Sequence, residues 1–150
     1  MRAHPPSNSV LILAAGLSGV AAFLHLACIY FGGPWYRIMG AGEQMARLAE
    51  SGSSYPAVVT LFIACVLFVW ALYALSGAGV IRRLPLLRPI LGTITAVYLI
   101  RGFAFLPLMS AIPGRSLHFW LWSSAICAVF GVVLAIGLWQ SWGGLAPVQP

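Results

Sequence analysis

Few residues in this chain have side chains that could do chemistry, and the most conspicuous is a lone charge. In the stretch TAVYLIRGFAF, Thr95 to Phe105, Arg101 interrupts an otherwise apolar run. A guanidinium there is a planar fork of hydrogen-bond donors, matched to a carboxylate or a phosphate. Thr95, Tyr98 and Arg101 recur every three residues, which puts them near one helix face as a polar stripe. Two histidines sit in similar company, His25 in VAAFLHLACIYF and His118 in SLHFWLW. The only side-chain carboxylates in the chain are Glu43 and Glu50.

Three chemistries can be written for these groups. Arg101, His25, Glu43, His118 and Tyr98 could line a polar pocket that binds an anionic lipid headgroup, a small ligand or a partner subunit. Alternatively, His25 and Glu43 could act as an acid–base pair on a lipid-like substrate. The third, haem ligation by His25 and His118, needs two histidines at equal depth, and their positions in the chain differ by several Å. Beside all three stands an architectural reading, in which Glu43 or a backbone carbonyl neutralises Arg101 and locks a cap onto a helix bundle. No cofactor and no metal are expected. Cys28, Cys65 and Cys127 each stand alone in apolar runs and read as buried small hydrophobic residues, with no spacing for zinc or a redox pair.

The elements that must position these groups follow from composition. Of 150 residues, 61% are hydrophobic and 7% charged, with a mean hydropathy of +0.97. Soluble domains carry about 25% charged residues, so the medium this chain fits is lipid. Runs of about 20 apolar residues are needed to cross a bilayer core of ~30 Å. Four segments qualify, at about 10–31, 56–75, 89–109 and 117–139. Gly-Gly-Pro in FGGPW stops the first, Pro56 and Pro89 open the second and third, and Pro107 should kink or end the third. Residues 36–50, WYRIMGAGEQMARLAE without its first residue, place Ile38, Ala41, Met45 and Leu48 at helical spacing, with Glu43 and Arg47 able to pair four apart. The expectation is a single all-α domain, a four-helix membrane bundle with a short amphipathic helix in the first loop and a disordered tail over 143–150.

Net charge is +6, all eight basic residues being arginine. Their spread over several loops suggests membrane topology and lipid headgroups, not nucleic acid. Arg82, Arg83 and Arg88 cluster in one short connector, which predicts both termini in the cytoplasm of a bacterial inner membrane. Membrane lipids, a partner subunit or a second copy are the expected partners. Arg101 lies about 18 Å beyond Pro89 and His25 about 22 Å beyond Val10, both in the outer half of their spans. Gathered polar groups at one end, and no carboxylate inside a span, disfavour a conduction path or proton-coupled export.

Overall fold

The computed structural model describes residues 7–111 and 117–145. The described chain is all-helical: α1 (Ser9–Phe31), α2 (Gly33–Ile38), α3 (Glu43–Glu50), α4 (Tyr55–Gly77), α5 (Leu87–Phe103), α6 (Phe105–Ala111) and α7 (Leu117–Ser141). Residues 1–6, with Arg2, residues 112–116, with Arg115, and tail residues 146–150 lie outside the described residues. Residues 143–145 form a turn that ends on a buried Leu145.

Three helices, α1, α4 and α7, are long and apolar enough to cross a membrane. They are apolar on every side. Ala14, Ala22, Ala64, Ala74 and Leu134 face inward, while Phe23, Phe62, Val129 and Ile136 face outward. A helix apolar all round, with large side chains left outside, matches a lipid surround.

The third expected span is interrupted. Where one crossing over 89–109 was predicted, α5 stops at Phe103 and α6 begins at Phe105, with Ala104 between them at φ −90°, ψ 34°. Pro107 explains the position of the break. A proline lacks the N–H that would bond the carbonyl four residues back, and its ring crowds that carbonyl. Here that carbonyl belongs to Phe103, the last residue of α5. At 17 residues, α5 is about 26 Å long and falls short of a full crossing on its own.

The loop segment also differs from one amphipathic helix. It is two short helices, α2 and α3, because Gly40 (φ +75°) and Gly42 (φ +96°) take the left-handed backbone that favours glycine and break the run between them. Tyr36 and Ala46 supply its buried face together with Cys28 of α1, and Ile38 is exposed.

Packing runs antiparallel in chain order. α1 lies along α4 and α7, and α5 lies along α7 and touches α4. Glycines set the close approaches: a Cβ on Gly102 of α5 would lie 2.6 Å from the Ala128 backbone nitrogen of α7, and one on Gly131 of α7 would lie 2.7 Å from Leu99. Backbone-to-backbone contact through small residues is how helices associate where lipid removes the hydrophobic drive. At one end Asn8 caps α1, accepting from the amides of Val10 and Leu11, and donates to Ser141 Oγ at 2.8 Å and to the Gly137 carbonyl at 3.3 Å. The start of α1 is thereby fastened to the end of α7. At the other end α2 and α3 form a cap, with Gly40 lying directly against the Phe119 ring of α7.

Candidate functional site

Arg101 sits in the last turn of α5. The break at Ala104 therefore turns a mid-span cation into a helix-terminal one, where unpaired carbonyls carry a partial negative charge worth about 0.3–1 kcal/mol to a cation. Gly102 brings the α5 backbone onto α7 just at this level, so the guanidinium reaches α7 side chains. Its two terminal nitrogens donate to Ser124 Oγ at 2.9 Å and Ser123 Oγ at 2.7 Å, and its carbon lies 4.7 Å from the Trp120 ring centre. Trp120 is 2% exposed, and its indole nitrogen is buried with no hydrogen-bond partner among the described residues. The Tyr36 hydroxyl of the cap is orphaned in the same way.

The surroundings of Arg101 are thus rich in donors. The guanidinium has further N–H groups, each serine that accepts from it keeps its own O–H, and the Trp120 N–H is unused. Aromatic and hydroxyl contacts ease the cation but do not neutralise it. An acceptor carrying negative charge is what this arrangement lacks.

Neither carboxylate supplies it. Arg37 forks across both acids of the cap, with Nε 2.8 Å and Nη2 3.0 Å from the two Glu43 oxygens, and with Nη2 3.0 Å from Glu50 Oε2. Arg47 Nε adds a bond of 3.0 Å to Glu43, the four-apart pair read from the sequence. The Arg37 and Arg47 bonds hold the Glu43 carboxyl at a pKa of about 2, below its ordinary 4.5, and Arg37 lowers that of Glu50. A carboxyl depressed in the folded state stabilises the fold fully above pH 4.5, and loses that contribution as pH falls toward about 2. Amide exchange in α2 and α3, corrected for intrinsic rate, should therefore stay constant from about pH 7 to 5 and rise below about pH 4. Unchanged protection down to about pH 2 would show that the cap does not depend on these pairs.

The five residues named from the sequence do not meet in one pocket through hydrogen bonds. His25 places Nδ1 2.7 Å from the Ala21 carbonyl of its own helix, so that nitrogen carries the proton. His118 Nε2 accepts from Trp122 Nε1 at 2.9 Å, one turn along α7. Tyr98 is buried, 3.4 Å from Ser18 Oγ, with its ring edge-on to Trp70. Glu43 belongs to the cap, and Arg101 of α5 bonds α7. His25 and Glu43 share no bond, and a carboxyl with a pKa of about 2 is far from the near-neutral value suited to a general acid–base. Among the described residues no three His, Cys, Asp or Glu side chains come together as a metal site. The cysteines are unpaired: Cys28 is buried, Cys127 half-buried and Cys65 exposed on the outside of α4, unlike the interior role expected of it.

Sequence reasoning found Arg101 but not its partners. Nothing in the sequence distinguishes Ser123 and Ser124 from small residues that ease a helix contact. Counting outward from the turn between the spans would have found them, since Arg101 is eight residues before Met109 and the serines six and seven after Leu117.

By length and composition, then, α1, α4 and α7 are compatible with a small helical membrane protein. Compared with known protein families, with curated proteins and with solved structures, it has no match.

Proposed function

We propose that this is a multi-pass inner-membrane protein whose fourth crossing is made by α5 and α6 together, and that it holds an anionic ligand at its cap end through Arg101. One observation carries this reading. Arg101 is a cation among apolar helices, contacted by hydroxyls and an indole ring, in a chain whose only two side-chain carboxylates are both committed to the cap. Burying a charge at mid-membrane costs about 2.5–3.5 kcal/mol on insertion scales, and such residues are by default functional. The ligand's required chemistry is a negatively charged acceptor reaching Arg101 from the outer leaflet. A lipid headgroup, a small anionic amphiphile or a carboxylate on a partner subunit or second copy presents that chemistry, and the bound mass distinguishes them.

The enzyme reading has less support, because the proposed acid and base are not joined and Glu43 is locked in ion pairs. Transport has less still, since neither carboxylate lies in a span.

Native mass spectrometry of protein released in mild detergent tests the proposal: wild type should carry one more anionic adduct than Arg101→Ala. Orientation is proposed from the arginines near the ends of α4 and α5, which favour cytoplasmic termini. A periplasm-active phosphatase should be silent when fused after residue 145 and active when inserted at the 39–42 turn. The reverse pattern would invert the topology.

A further inference from the structure

At the end of the molecule away from Arg101, a cavity of about 630 Å³ opens where the start of α1, the ends of α4 and α7 and the 79–87 connection meet. The strongly polar groups of the spans gather at the cap end in the sequence, with the Arg82–Arg83 pair in a connector at the other end, where this cavity is lined by Asn8, Ser76, Arg82, Arg83, Gln140 and Ser141, with no acidic side chain among the described residues. Its walls are held in place. Ser76 Oγ donates to the Arg82 carbonyl at 3.1 Å and accepts from the Leu84 amide at 2.9 Å, which folds the arginine-bearing connection back over the helix ends. Asn8 Nδ2 bonds Ser141 Oγ and, at 3.2 Å, Gln140 Oε1, closing the opposite wall.

A second hollow, about 410 Å³ and almost wholly apolar, runs between α1 and α4, with Gly16 and Gly19 as its floor and Phe68 and Leu72 as its side. A Cβ on either glycine would meet nothing within 4 Å, so these glycines do not serve an internal helix contact. Residues four apart on a helix lie nearly above one another. Asn8, Ile12 and Gly16 therefore form one stripe of α1, and Leu72 stands over Ser76 on α4. Ile12 and Leu72 of the groove thus each lie one turn from a residue of the cavity wall, Asn8 and Ser76.

We propose that the two hollows form one binding site for an anionic phospholipid, with the headgroup phosphate in the Arg82–Arg83 cavity and an acyl chain along the Gly16–Gly19 groove. The charge of the lining selects an anion, and basic recesses between helix ends at a membrane surface take phosphate headgroups. The groove then requires that the anion carry a hydrocarbon tail. A second copy packed in parallel on the same groove would instead bring its own Arg82 and Arg83 to the same level, opposing like charges. This site does not depend on Arg101.

The test is native mass spectrometry after equilibration with phosphatidylglycerol or phosphatidylcholine, using Arg101→Ala, which removes the cap-end site, alone and combined with Arg82→Gln/Arg83→Gln or with Gly16→Leu/Gly19→Leu. Arg101→Ala should retain the anionic lipid over the zwitterionic one on the order of tenfold, and excess inorganic phosphate should not displace it. Adding the two glutamines should abolish that preference. Filling the groove should weaken retention of both lipids. Equal retention of both lipids by Arg101→Ala would overturn the proposal, as would displacement by inorganic phosphate or survival of the preference without Arg82 and Arg83.

Discussion

Arg101→Ala is expected to leave the protein folded, with a melting temperature in detergent close to that of wild type, while lowering anion retention at the cap end at least about thirtyfold. The stability half of this expectation is a balance. The substitution removes two charge-assisted hydrogen bonds to Ser124 and Ser123 and the contact over Trp120. Hydrogen bonds to charged groups contribute about 1.5–3 kcal/mol each. Against this, it removes a guanidinium whose placement among apolar helices costs about 2.5–3.5 kcal/mol on insertion scales. The serine hydroxyls can turn back onto carbonyls of their own helix, so little is left unsatisfied. The binding half has no such compensation, because truncating one partner of a buried charge pair costs about 2–5 kcal/mol. Arg101→Lys should fall between, since an ammonium cannot fork across two hydroxyls and an anion together. A purely architectural Arg101 would give the reverse pattern, a lower melting temperature with retention unchanged.

The second large effect is on packing. Gly102→Val should destabilise the fold by about 3 kcal/mol or more, beyond the usual 1–3 kcal/mol of overpacking. A Cβ at this position would sit 2.6 Å from the Ala128 nitrogen and 2.7 Å from its Cα, and a backbone cannot rotate aside as a side chain can. The helices would have to part, which would also draw Arg101 away from Ser123 and Ser124. Gly16→Ala is the natural control: its Cβ meets open space, and alanine favours a helix over glycine by about 0.8–1 kcal/mol. Thermal unfolding of both variants in one detergent measures the contrast. A Gly102→Val protein that melts with wild type would mean that α5 and α7 do not touch as described.

These effects rest on features of unequal visibility in the sequence. The apolar runs that became α1, α4 and α7 were plain, because length and hydropathy alone decide whether a helix can cross a bilayer. The break in the third run was harder. Pro107 announced a kink, but its effect falls four residues earlier, on the carbonyl of Phe103, and this makes Arg101 a last-turn residue. Arg101 itself was legible as a lone charge. Its partners were not, because two serines on an apolar helix look the same whether they ease a helix contact or bind a cation. The cavity beside Arg82 escaped notice for a different reason. Asn8 and Ser141 are separated by most of the chain, and only the fold brings them to the same wall.

The central claim is that Arg101 serves a negatively charged ligand that the chain does not itself supply. Native mass spectrometry of wild type, Arg101→Ala and Arg101→Lys, prepared from the same membranes in the same mild detergent, tests it most directly. The account predicts one more anionic adduct on wild type than on the alanine variant, with reduced occupancy in the lysine variant, at melting temperatures that stay close together. A wild-type protein that flies bare, or an adduct count that alanine leaves unchanged, would contradict it.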